Sequence, residues 1–330
     1  MKLSMCIAGC GGYARTVLRD IHELTDEFDL YFASRSIEKA RQYSEEYGGV
    51  GYFGSYEEAV ASPDVDSVYF FTPHDLHLPN SLLAASHSKH VLVEKPIART
   101  IDESMKLVDG VQDAGVNLMI AENYRFLPTV QKAKELIENG DLGSLRLIQI
   151  QAEGFSVPTK WRTDAAVNGG GVFIDGGIHF VDVVLYLGGF PERVYAAQPP
   201  QLFNDVAGED GLVVMLHLEG GALGLINFSR ATPVPDSYQH VSVTGSKGRV
   251  SFVPYGNELY IETLTSHDTI QLPDAFRGVR GMVREFRSSI HENRKPAMSG
   301  EEGVRDLAVV LAAYRSASEN RVIELSGSGW

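Results

Sequence analysis

Cysteine and tryptophan are the scarcest side chains, with two of each among 330 residues. Cys6 and Cys10 lie in an apolar run and the glycine turn after it, and no second pair or neighbouring histidine completes a metal-binding set, so no metal is expected. They read as small buried hydrophobes in a reducing compartment. Positive charge is also in short supply: 29 basic against 43 acidic side chains leave a formal charge of -14. Such a surface repels phosphate backbones and anionic lipid, and no basic patch overrides it. Neither a nucleic acid nor a membrane is therefore expected as a partner. No apolar run approaches the roughly 20 residues of a membrane span, and Met1 to Ala8 is too short and too soon broken by glycine for a secretory leader. A cytoplasmic location is the expectation. The chain has no fixed-period repeat and no low-complexity tract, and Ser326 to Trp330 read as a flexible or appended tail outside the fold.

What is present suffices for two ordinary domains, since 44% of the residues are hydrophobic and 22% charged. Up to residue 123, short apolar runs alternate with segments of helical period, the pattern of parallel strands joined by crossover helices. The strand candidates are Leu3 to Ala8, Leu30 to Ala33, Ser67 to Phe71, His90 to Val93 and Asn117 to Ala121, apolar enough for a sheet covered on both faces. Between the first two, Ala14, Val17, Leu18 and Ile21 form a helical stripe. Ser55 with Glu58, and Thr100 with Glu103, have capping-box spacing and mark two further helix starts. From 124 to 325 the pattern changes. A helix from Pro128 to Gly140 precedes alternating strands, among them Leu145 to Ala152 and a hairpin of Gly211 to Leu218 with Ala222 to Ser229. Val241 to Thr244, Arg249 to Val253 and Leu259 to Thr263 continue an antiparallel series. The expectation is an α/β domain over 1–123 and an α+β domain over 124–325. The second should carry a large, mostly antiparallel sheet with one open face suited to a homodimer or homotetramer.

Directly after the first strand comes Gly9-Cys10-Gly11-Gly12-Tyr13-Ala14, which opens the first amphipathic helix. This is a GxGxxA form of the dinucleotide fingerprint in its strand–turn–helix context, and it assigns 1–123 to the Rossmann class. Gly9 allows the tight turn, Gly11 lets the backbone approach a pyrophosphate, and Ala14 permits close packing. The helix N-terminus offers N–H groups to the anion. At the end of the second strand, where an acid would hold an adenosine 2'-hydroxyl, the chain reads Ala33-Ser34-Arg35. Arg35 and Ser34 suit a 2'-phosphate, which favours NADP with NAD as the alternative; an ordinary exposed arginine is the competing reading.

Two further segments bear on chemistry. Glu94-Lys95-Pro96 ends a strand and places a lysine at the carboxyl edge of a parallel sheet, where open α/β folds bind ligands. Lys95 is either a solvated strand-end lysine or a group that positions a substrate oxygen. In the second domain Gly169-Gly170-Gly171 precedes Asp175, His179 and Asp182, whose i, i+4, i+7 spacing puts a histidine between carboxylates on one helix face. His179 so held could be a general base near neutral pH, or simply a structural histidine at a helix start. Asn123, Tyr124 and Arg125 follow the last strand of the first domain. Tyr124 there is either a substrate contact or a packing residue.

Taken together, the glycine turn, Thr72-Pro73 with His77, Glu94-Lys95-Pro96, Trp161-Arg162, and Gly169-Gly170-Gly171 followed by Asp175 and His179 resemble the glucose-fructose oxidoreductase / inositol dehydrogenase / MocA-type (Gfo/Idh/MocA) family over essentially the whole chain. The resemblance implies that Lys95 and His179 serve a substrate hydroxyl and that Asp175 helps hold substrate. It also implies that Trp161 and Arg162 lie near a nicotinamide, Arg162 in reach of substrate as well. The cofactor residues it suggests are Gly9, Gly11, Gly12, Tyr13, Ala14, Ser34, Arg35, Thr72, Pro73, His74, His77, Glu94, Lys95 and Asn123. His74 stands where such proteins often carry another small polar residue, and the HxxH spacing of His74 and His77 lacks a third metal ligand. The expected activity is interconversion of a secondary alcohol and a ketone on a sugar, cyclitol or sugar derivative. A glycoside-cleaving enzyme with retained cofactor, or a non-catalytic sensor, are the alternatives such a resemblance leaves open.

Overall fold

A computed structural model describes residues 1–325, so the expected tail 326–330 lies outside the described residues. The chain divides into two compact units. One comprises Met1–Glu122 and Val279–Val304, the other Asn123–Gly278 and the chain from Arg305 onward.

In the first unit, β1 (Leu3–Ala8), β2 (Phe28–Ala33), β3 (Gly51–Phe53), β4 (Ser67–Phe70), β5 (His90–Val93) and β6 (Leu118–Ile120) form a parallel sheet in the order β3-β2-β1-β4-β5-β6. The order reverses between β1 and β4, the switch point outside which such sheets bind ligands. The connections are α1 (Gly12–Ile21), α2 (Ile37–Tyr47), α3 (Tyr56–Ala61), α4 (His77–Ser86) and α5 (Ile101–Asp113). The stripe Ala14, Val17, Leu18 and Ile21 is buried as its spacing requires. Ser55 and Thr100 each accept a hydrogen bond from the backbone N–H three residues on, which fixes the starts of α3 and α5. β3, three residues beginning at Gly51, is a strand the apolar pattern does not reveal. Cys6 and Cys10 are buried free thiols, and burial raises both pKa values, that of Cys10 to about 11, so neither is a thiolate at neutral pH.

The sequence places 124–325 in one second domain, whereas Val279–Val304 returns to the first unit. The helix Val279–His291 buries Val279, Met282, Val283 and Phe286 on one face. Its arginines meet the end of α1 and the acidic turn after it: Arg280 bonds Asp20 (2.7 Å) and Glu23 (2.8 Å), and Arg284 bonds Glu27 (2.7 Å). The partners are more than 250 positions apart in sequence, which is why local pattern does not show the return.

The second unit is built on a nine-stranded sheet. Its strands are β7 (Leu145–Glu153), β8 (Pro191–Ala197), β9 (Gly211–Leu218), β10 (Leu223–Ser229), β11 (Tyr238–Gly245), β12 (Arg249–Phe252), β13 (Glu258–Glu262), β14 (His267–Gln271) and β15 (Ile323–Glu324). They lie in the order β14-β13-β12-β11-β7-β10-β9-β8-β15, with β7 and β10 parallel and the other pairings antiparallel. The expected hairpin is β9–β10. After the short α7 (Ala165–Asn168), α8 (Ile178–Gly188) covers one face and α6 (Pro128–Glu138) packs on α8, with Phe173 and Phe180 against Phe228 of β10. Gly224 lets α8 come close, because a Cβ there would lie 2.8 Å from Val184. The stretch Ala165–Gly188 is long and apolar enough to cross a membrane by length and composition alone, contrary to the sequence expectation, although Gly169 at φ +88° ends its first short helix. That window is 78% buried in the protein, as a core helix also is.

Candidate functional site

The first unit contributes the glycine turn. Gly9 has φ +108°, and a Cβ on it would come 2.6 Å from the Phe71 carbonyl oxygen, so only glycine fits beside β4. Around Gly11 and Gly12 a Cβ would meet nothing within 4 Å, leaving open space over the start of α1. Gly11 is the N-cap of α1 and supplies no side-chain acceptor to its first N–H groups. A glycine cradle with backbone donors facing open space fits a dinucleotide pyrophosphate, and these residues would hold it. Tyr43 closes the back by donating to the Gly11 carbonyl (3.1 Å), and Ala14 is fully buried. Tyr13 is half-buried, its ring 6.2 Å from that of Phe71. At the end of β2, Ser34 is buried, with Oγ accepting from Ser36 N, while Arg35 is exposed.

At the ends of β4 and β5 the chain is held from within. His77 is fully buried, with Nδ1 2.7 Å from the Pro96 carbonyl oxygen and Nε2 3.1 Å from that of Thr72. Burial pushes its pKa down to about 3, so the neutral ring donates to one carbonyl and ties the two loops together. Thr72 accepts from Asn80 (3.3 Å), Pro73 precedes the short turn His74–Leu76, and His74 is buried with its ring 5.4 Å from His77. Among the described residues no three His, Cys, Asp or Glu side chains converge as a metal site. Glu94 is buried and accepts a hydrogen bond from Tyr69 Oη (2.7 Å). Within Val91–Ala98 only Lys95, joined to Pro96 by a cis peptide, is not buried.

Burial raises the Glu94 carboxyl from 4.5 to about 7, against the opposing pull of the Lys95 ammonium and the Tyr69 hydroxyl. The folded chain therefore keeps this proton where the unfolded chain has lost it. The associated stability is complete below about pH 4.5 and is lost as pH rises through about 7. Glu94→Gln should gain stability relative to the parent between pH 5 and pH 8, by on the order of 2 kcal/mol. Paired thermal melts across that range check it, and a difference independent of pH refutes it.

The second unit contributes a helical run that begins with a π turn, Phe173–Gly177, and continues as α8. Along Gly171–Leu185 only Asp175 and His179 are not buried, so these two share one accessible face. Asp175 is paired with Arg162 (2.8 Å), whose guanidinium lies 4.3 Å from the Trp161 ring. His179 stacks on Tyr124 at 4.4 Å and 12°. Asp182, expected on the same face, is fully buried and bonds Arg125 (2.5 Å). Asp182 follows His179 by three residues on α8, and its pairing with buried Arg125 keeps it off the accessible face. Asn123 is buried in this unit and donates to the Arg277 carbonyl. Tyr255 and Arg277 are neighbours that the motifs do not signal. Tyr255 meets Tyr124 edge-on at 5.1 Å, and Arg277 lies 5.3 Å from the Tyr255 ring.

Residues 3–122 match the model of an oxidoreductase family with an NAD-binding Rossmann fold, and residues 134–325 match that family's C-terminal alpha/beta domain. The chain is 30% identical over 305 residues to D-xylose 1-dehydrogenase (NADP(+)) 2 of Haloferax volcanii, covering 89% of this chain and 90% of that one. It is 28% identical to myo-inositol 2-dehydrogenase of Thermotoga maritima, covering 95% and 96%. Among solved structures, aldose-aldose oxidoreductase of Caulobacter crescentus, complexed with glycerol, superposes with a TM-score of 0.90 at 28% identity, over 98% of this chain and all of that one. The glycine cradle and the two-sheet architecture thus belong to one lineage, and the protein is an NAD(P)-dependent oxidoreductase of the Gfo/Idh/MocA family.

Proposed function

We propose that the protein interconverts a secondary alcohol and a ketone on a sugar, cyclitol or sugar derivative, with NADP preferred to NAD, and with Lys95 and His179 serving the substrate oxygen. The observation that carries this reading is the pairing, on one accessible helix face, of a stacked imidazole with a carboxylate held by an arginine. When bound, the nicotinamide supplies the hydride acceptor for oxidation and the donor for reduction. His179 takes the hydroxyl proton as the alcohol is oxidised, and returns it in reduction. Lys95 donates a hydrogen bond to the same oxygen, and its charge favours the developing alkoxide. Asp175, fixed by Arg162, accepts from a second hydroxyl and turns a polyol into register, with Tyr124 stacked on His179. Exposed Arg35 next to the Ser34 hydroxyl supports the preference for NADP.

The reading includes a cytoplasmic homodimer or homotetramer formed through the second unit's sheet. Leu147, Leu223, Leu225, Met215 and Val213 alternate with buried neighbours on adjacent strands and give the open face an apolar patch. A monomer's mass in light scattering would contradict this part.

Absorbance at 340 nm, with NADP or NAD and a panel containing D-xylose, myo-inositol and their glycosides, tests the activity. A rise dependent on an alcohol, faster with NADP, is expected. Glycoside cleavage with no accumulated reduced cofactor, or cofactor binding with no turnover across the panel, would overturn it.

A further inference from the structure

A helix leaves its first backbone N–H groups without intrahelical acceptors, and a buried start must find them elsewhere. The run bearing Asp175 and His179 begins without a side-chain cap of its own. Four successive N–H groups there are taken by two residues distant in sequence. Gly171 N donates to Tyr314 Oη (3.3 Å) and Val172 N to the Glu209 carbonyl (2.9 Å). Phe173 N donates to Glu209 Oε1 (2.5 Å) and Ile174 N to Tyr314 Oη (2.9 Å). Tyr314 Oη itself donates to Glu209 Oε1 (3.1 Å), which locks the two acceptors together. The glycines ahead of the helix make room for this arrangement. A Cβ on Gly170 would lie 2.5 Å from the Tyr314 ring, and one on Gly171 2.1 Å from the Glu209 carboxylate. Gly208, at φ +89°, brings Glu209 in, and a Cβ on it would lie 2.5 Å from Gly171 Cα. Burial lifts the Glu209 carboxyl to about 7 although backbone donors pull it lower, so the contact is kept at a cost in solvation.

We infer that Glu209 and Tyr314 form a buried cap, supplied from outside the helix, that holds the π winding at Phe173–Gly177 and so fixes Asp175 relative to His179. They are positioning residues; their effect on turnover rests on the function proposed above, whereas the cap itself does not. Relaxing the π turn to α winding would turn Asp175 against His179 by roughly 50–70° about the helix axis, although both windings keep the two on one face. That would shift the carboxylate that orients substrate out of register with the imidazole that moves its proton.

Two readouts on the full chain test this. The first is hydrogen–deuterium exchange of the peptide spanning 171–174, in Tyr314→Phe, Glu209→Ala and Glu209→Gln. Exchange should rise roughly tenfold in the first two. It should rise less in Glu209→Gln, which keeps an acceptor for Phe173 N. The second is steady-state kinetics with NADP and D-xylose or myo-inositol. Tyr314→Phe should lower kcat roughly a hundredfold with KM for NADP unchanged. Glu209→Gln should retain more of kcat than Glu209→Ala. Unchanged exchange in Tyr314→Phe overturns the cap even if Glu209→Ala does not fold. Raised exchange with unchanged kcat overturns the positioning role. If the parent oxidises neither alcohol, the proposed function fails while the exchange result still decides the cap.

Discussion

Lys95→Met and His179→Ala are each expected to lower turnover by about a thousandfold while the dissociation constant for NADP stays within a factor of about three. Methionine keeps the apolar stem of Lys95 but removes the ammonium, so an alkoxide developing at the substrate oxygen loses its charged donor. Lys95 is the half-buried point of an otherwise buried strand end, and His77 fixes the backbone on which it stands. The substitution should therefore leave the glycine cradle undisturbed. His179→Ala removes the proton acceptor and the ring stacked on Tyr124. Fluorescence titration with NADP beside a stopped-flow measurement of turnover separates binding from chemistry. Turnover within tenfold of the parent in either variant would sink the proton-transfer scheme.

A larger effect on stability is expected at the pair Arg125–Asp182, both essentially out of solvent. Asp182→Ala leaves a guanidinium charge buried without this carboxylate, a loss of about 3–5 kcal/mol, which lowers the melting temperature by on the order of 10 °C. Replacing both members with apolar side chains of similar volume should cost far less than the sum of the single changes. The pair lies next in sequence to Tyr124 and on the helix of His179, so the single variant should also lose turnover. A melting temperature within 2 °C or so of the parent would show that the pair contributes little.

Much of the first unit was legible because its signals are local. The GxGxxA turn between an apolar strand and a striped helix, and the caps at Ser55 and Thr100, depend on residues a few positions apart. Lys95, Asp175 and His179 were legible through motif, and the structure puts each at the accessible point of a buried segment. What was not legible depends on partners distant in sequence or on departures from ideal winding. Asp182 stands three residues after His179 on the same helix, but its carboxylate is drawn into a buried pair with Arg125, which no nearby residue signals. The motif places His77 among the cofactor residues, and no local signal shows that both its ring nitrogens face main-chain carbonyls. Glu209 lies in an ordinary polar loop before β9, and nothing near it points to Tyr314, 105 positions later.

The return of Val279–Val304 to the first unit has a consequence during synthesis. The helix that covers α1 is translated only after the whole sheet from β7 to β14. At about 5–20 residues per second, the nascent dinucleotide fold waits roughly ten to thirty-five seconds with the flank of α1 that this helix covers bare. An expression fragment ending at Glu122 would keep that flank permanently bare. It should aggregate, whereas the same fragment joined by a short linker to Val279–Val304 should remain soluble.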